Sequence, residues 1–112
     1  MKQLNGKAKE KFESWFARYA FNNGFHKGTG FKVHEKLYNL PESMQWGVVQ
    51  SYADSEGYPV NQYLDPTSPP IQHGWEILKG RIGKIHGVGG YDTRQEARSA
   101  AIEKLNQIIN EG

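Results

Sequence analysis

The chain of 112 residues is 37% apolar and 23% charged, has no cysteine and carries a formal net charge of +2. At roughly 100 to 200 residues per domain, this length is that of one compact domain and leaves no room for a two-domain enzyme. Without cysteine, disulfide scaffolds, cysteine-ligated zinc sites and thiol nucleophiles are excluded together, while three Trp, six Tyr and five Phe can anchor a small core.

The small net charge conceals a segregation along the chain. Residues 1–36 hold eight Lys or Arg against three acids, and residues 37–78 hold five acids and no Lys or Arg. Lys79, Arg81 and Lys84 then make residues 79–91 purely basic, before a nearly balanced end. Such asymmetry predicts a surface with a basic and an acidic side, able to steer a charged partner, unless folding brings the two together. The first residues lack the apolar run of a signal peptide, and no stretch approaches the ~18 apolar residues of a membrane span. A protein of the cytoplasm, without membrane contact, is expected.

In chain order, Ala8, Phe12, Trp15, Phe16 and Tyr19 recur on one helical face, which predicts a helix over 7–22 with Asn5 as cap and Gly24 as stop. The Gly-rich basic stretch 24–36 reads as a loop. Pro41 suits the first position of a second helix over 42–56, ended by Gly57, although Trp46, Val48, Val49 and Tyr52 would also suit a strand around 45–52. A short strand over 58–64 is followed by the loop 65–70. Residues 75–78 and 81–86 read as two strands of a hairpin, or one bent strand, with Gly80 and Gly83 at the turn or a bulge, and Gly87 to Gly90 as the end of the sheet. Thr93-Arg94-Gln95-Glu96 has the pattern of a capping box opening a last helix over 93–110. Its apolar residues span an arc near 200°, wider than one sheet face needs, so either the helix is packed on two sides, the commoner arrangement, or one flank is a contact surface. The prediction is an α+β fold in a single domain over 1–112: helical over 1–57, a small antiparallel sheet over 58–87, and a C-terminal helix packed on it.

No nucleophile and base stand in a recognisable motif, which predicts a non-enzymatic protein without cofactor or metal. Gly80-Arg81-Ile82-Gly83-Lys84 is a fragment of a phosphate loop, but Ile85 replaces its Ser or Thr. His26, His34, His73 and His86 lack the close spacing of metal ligands.

The turn Gly87-Val88-Gly89-Gly90 leads into Thr93 to Ala101, a helix start with two arginines one turn apart. This passage resembles the last strand-to-helix step of double-stranded-RNA-binding domains, which has Gly-x-Gly, Ser-Lys-Lys and an Ala-rich helix. Here Tyr91 and Asp92 are inserted, Gln95 replaces a lysine and Glu96 adds an acid. Such a domain has one helix before its three strands, where two are predicted here. The resemblance implies an RNA- or nucleic-acid-binding module using Lys27, Lys32, Arg81, Lys84, Arg94 and Arg98.

Leu4 to Glu10, Tyr38 to Val48 and Thr93 to Lys104 together resemble blocks of small proteins encoded in phages and prophages. That resemblance implies a phage accessory protein of the bacterial cytoplasm that binds and inhibits a host protein or ribonucleoprotein, anti-CRISPR inhibitors being one such class. Aromatic residues and Arg are the usual interface anchors, which makes Trp46, Tyr63, Trp75, Tyr91 and Arg94 the candidates for partner contact. Core packing is the competing role for Trp46 and Trp75.

Overall fold

The computed structural model describes residues 2–22, 37–65 and 71–112. Its first helix, α1, spans Gly6–Asn22 and buries Ala8, Phe12 and Phe16, as the periodicity predicts. The side-chain cap differs from expectation. The Lys9 amide donates to the Asn5 carbonyl, but the Ala8 amide is taken by Asn110 Oδ1 from the far end of the chain. Gly6 has φ of +56°, a left-handed conformation that glycine adopts without strain. The expected stop at Gly24 and the loop over 24–36 lie outside the described residues.

The second helix, α2, spans Glu42–Ser55, with Pro41 one position earlier than expected, as the residue that precedes the helix. The strand alternative for 45–52 is overturned. Trp46, Val49, Tyr52 and Ala53 fall on one helical face and are buried together, which no strand spacing would do. Gly57, at φ of +85°, ends the helix: its amide donates to Asp54 O and that of Tyr58 to Ala53 O, the paired closure of a left-handed C-terminal turn.

Three strands follow, β1 (Val60–Asp65), β2 (Gln72–Lys79) and β3 (Gly83–Tyr91), antiparallel and in the order β1-β2-β3. Gly80–Ile82 form a 3-10 turn between β2 and β3, so Gly80 marks the turn as expected while Arg81 and Ile82 belong to that turn and not to the second strand. Gly80 opens it and Gly83 follows it, both at positive φ. The sheet also does not end at Gly87. Strand β3 continues through the glycines to Tyr91, with Trp75 opposite Val88 and His73 opposite Tyr91, since ladder hydrogen bonds need only backbone. Two register shifts, between His73 and Trp75 and between Ile77 and Leu78, absorb the extra residues.

The last helix, α3, spans Arg94–Glu111 and lies mainly on β2, with α1 packed against it as well. Its wide apolar arc is thus covered from two sides, burying Ala97, Ala101, Ile102, Leu105 and Ile109. The Thr93 hydroxyl oxygen accepts from the Glu96 amide at 3.1 Å, as a capping box requires. Glu96 meets that same hydroxyl through Oε1 rather than reaching the Thr93 amide. The architecture is α+β, with the C-terminal helix on the sheet. Val60, Trp75 and Ile77 on the inner sheet face share one core with residues from all three helices.

Candidate functional site

The start of α3 gathers four of the residues singled out from sequence or standing beside them. Arg98 lies one turn into the helix on the side facing the sheet and is 8% exposed. Its Nε donates to Gln62 Oε1 at 3.2 Å, and its guanidinium sits 5.9 Å from the centre of the buried Trp46 ring. Gln62 Nε2 in turn donates to the Arg94 carbonyl at 2.9 Å, so β1, α2 and α3 are tied at one point. Burial, and next the neighbouring Arg94, lower the proton affinity of Arg98, while Glu42 acts in the opposite sense. Arg98 is therefore an internal strut whose charge is stabilised by an aromatic face and an amide oxygen. Arg94 is exposed, flanked by the exposed acids Asp92 and Glu96.

The second pair from the candidate set is also structural in part. Trp75 is buried on the inner face of β2, and its Nε1 donates to the hydroxyl of the half-buried Tyr91 at 3.3 Å. Trp46 and Trp75 thus take the core role. Burial of a Trp with its N–H satisfied is the ordinary arrangement for this side chain.

Tyr63 is different. Among the described residues, helices cover only the inner face of the sheet, and Tyr63 projects from the other face, opposite Gly74 on β2. A Cβ built at Gly74 would stand 2.3 Å from Tyr63 Cζ, and one at Gly89 on β3 would stand 3.2 Å from its hydroxyl oxygen. The ring therefore lies across all three strands, on positions kept bare by glycine, with the residue still 40% exposed. Gly74 was not singled out in the sequence, although an isolated glycine within a strand pattern is the available signal for such close approach.

Among the described residues the basic candidates are not assembled into one patch. Lys84 is exposed near the start of β3, and Arg94 follows the end of that strand, roughly 20 Å away at the rise of an extended chain. Arg81 lies in the 3-10 turn, and Lys27 and Lys32 lie outside the described residues. With Arg98 inside, Lys84 and Arg94 are the two members whose described side chains are exposed.

An open cleft of about 490 Å³ separates α1 from the end of α2, lined by Lys11, Trp15, Arg18 and Glu56 among others. Its charges are mixed, and Lys11 Nζ stands 4.0 Å from Glu56 Oε2. Among the described residues no group of three or more His, Cys, Asp or Glu could hold a metal ion, and no helix is long and apolar enough to cross a membrane. No protein-family model, curated protein or solved structure matches the chain.

Proposed function

We propose that this is a small non-enzymatic binding protein whose open sheet face, centred on Tyr63, covers a surface of a partner protein or nucleoprotein. The observation that carries the reading is the flat Tyr63 ring over Gly74 and Gly89. An ordered aromatic on a bare backbone surface offers contact area with little side-chain entropy left to lose on binding. Arg94 adds an exposed anchor elsewhere on the molecule, while Trp46, Trp75 and Tyr91 support the fold behind. The likeness of three sequence blocks to phage and prophage proteins favours a host protein of the bacterial cytoplasm as partner, a CRISPR effector being one candidate.

The test is capture by the tagged, folded protein from a bacterial host lysate, with and without nuclease. The expected result is a protein partner retained after nuclease and lost with Tyr63→Ser, provided that variant melts as a folded protein. Capture that disappears with nuclease would overturn the reading.

One observation favours a nucleic-acid-binding module instead. From α2 onward the order is one helix, three antiparallel strands, one helix, which is the order that the likeness to double-stranded-RNA-binding domains implies, with α1 as an addition. Against it stands the loss of Arg98 to the interior and the absence of any Lys or Arg in residues 37–78, since backbone affinity scales with the phosphates neutralised. A gel shift with duplex RNA, single-stranded RNA and DNA at about 0.15 M salt decides between them. Submicromolar binding abolished by Arg94→Ala would establish the module.

A further inference from the structure

The proposed binding face has a charge pattern that selects among partners. Side chains alternate along each strand, and cross-strand register places Asn61 opposite Glu76 and Tyr63 opposite Gly74 on the outer face. Glu76 therefore stands diagonal to the Tyr63 ring, at a separation of about 7 Å between such positions. Neither β1 nor β2 contributes a Lys or Arg to this face before Lys79 closes β2. Among the described residues the cation on the face is Lys84 of β3, whose Cδ would stand 3.2 Å from a Cβ at Gly87. Its stem thus lies over Gly87, the residue opposite Glu76, so Lys84 is the neighbour that competes with an incoming cation for that carboxylate. Among the described residues neither Glu76 nor Lys84 forms an ion pair.

We infer that the Tyr63–Glu76 corner of the open face takes an arginine side chain of a basic partner protein. This rests on the reading of that face as the binding surface. A guanidinium is planar and weakly hydrated, stacks on an aromatic face and bonds a carboxylate through two parallel N–H groups, so a tyrosine ring beside a carboxylate is complementary to it in both shape and charge. Because the ring rests on Gly74 and Gly89, one of its faces is held against the sheet and the other is turned outward for an arginine to stack on. A nucleic acid could stack a base on the same ring, but it would bring its phosphates against Glu76 in a stretch of chain without a cation. The overall net charge of the chain is +2, so attraction of a cationic peptide to this corner is local complementarity rather than bulk attraction.

The experiment follows the backbone amides of the full chain by nuclear magnetic resonance during titration with a capped eight-residue peptide of alternating Arg and Ser. A Glu/Ser peptide and an eight-nucleotide single strand serve as comparisons. Shifts at Gly74, Glu76 and Gly89 are expected with the Arg peptide alone. Glu76→Gln should weaken that binding at least three-fold, and Lys84→Gln should tighten it. Shifts confined to the acids of α2, no saturation at millimolar peptide, indifference to Glu76→Gln, or shifts of the glycines by the oligonucleotide would each overturn the inference. The two levels of the reading separate cleanly in partner capture. Loss with Tyr63→Ser but not with Glu76→Gln would leave the binding face standing and remove the arginine, whereas capture unchanged by Tyr63→Ser would remove the face itself.

Discussion

Asn110, near the end of α3, caps the beginning of α1: its Oδ1 accepts the Ala8 amide at 2.7 Å, while its Nδ2 donates to the Asn5 carbonyl at 3.2 Å and to Asn5 Oδ1 at 3.1 Å. One turn earlier on α3, the buried Asn106 does the same for the preceding segment, accepting the Asn5 amide at 2.8 Å and donating to the Gln3 carbonyl. The first turn of a helix leaves four amides without partners, and here the last helix supplies acceptors for the first. Both ends of the chain are held by this exchange.

Asn110→Ala should destabilise the protein by about 1 to 2 kcal/mol, the cost of an N-cap together with an unpaired amide. Urea unfolding measures it. Asn110→Asp keeps the acceptor for Ala8 and should lose less. Asn5→Ala removes one side-chain contact and leaves the backbone bonds in place, so it should cost less than Asn110→Ala; the reverse order would mean that Asn5 is the cap after all.

Gly74→Ala should destabilise by roughly 1 to 3 kcal/mol through overpacking, because the new methyl meets the Tyr63 ring. In the double variant Tyr63→Ala/Gly74→Ala the methyl has room, and the two changes should cost less together than the sum of the single effects. Strict additivity in a double-mutant cycle would show that the ring does not rest on Gly74.

Arg94 and Arg98 should behave oppositely although they stand one turn apart. Arg98→Gln removes the contact over Trp46 and the bond to Gln62, and a loss of about 2 kcal/mol is expected in thermal or urea unfolding. Arg94→Gln is a surface change and should stay within about 0.5 kcal/mol. Equal effects would contradict the assignment of Arg98 to the interior.

Stability should fall between pH 10 and pH 12. Burial, and then the Glu13 carboxylate that accepts a hydrogen bond from its hydroxyl, push Tyr38 up to about 12 from the ordinary 10.0. Burial and the nearby Glu56 raise Tyr52 further. Since the folded state holds these protons more tightly than the unfolded chain, their contribution is complete below pH 10 and is lost as pH rises through the folded value. Melting temperatures over this range, with ionisation followed by tyrosinate absorbance, test the direction. Tyr38→Phe should flatten part of the decline, and a melting temperature that rises with pH here would refute it.

Much of this architecture was legible in local patterns. The spacing of Ala8, Phe12 and Phe16 fixed α1 to within one residue, Thr93 and Glu96 marked the start of α3, and Gly57 marked the end of α2, because helix faces, caps and left-handed stops depend on residues within a few positions of one another. The width of the α3 apolar arc left packing on two sides or a contact flank, and contacts with both β2 and α1 decide for the first. The extent of β3 was not legible: Gly87 to Gly90 resemble a loop, and only the pairing of Trp75 with Val88 and His73 with Tyr91 makes them strand. The fate of individual functional candidates was equally out of reach. Arg94 and Arg98 look alike in sequence, yet Trp46 and Gln62, from two other elements, draw one of them inside. Trp75 and Tyr63 are both strand aromatics, and register alone sends one to the core and the other across two glycines to solvent. What the amino-acid order determined by itself is where α1 and α3 run and where α2 ends, while residues 45–52 stayed open between helix and strand, a choice that their packing decides. Burial, cross-strand register and contacts between residues about a hundred positions apart, such as Ala8 with Asn110, are sums over the whole folded chain, so only the tertiary structure decided which side chains remain on the surface to meet a partner.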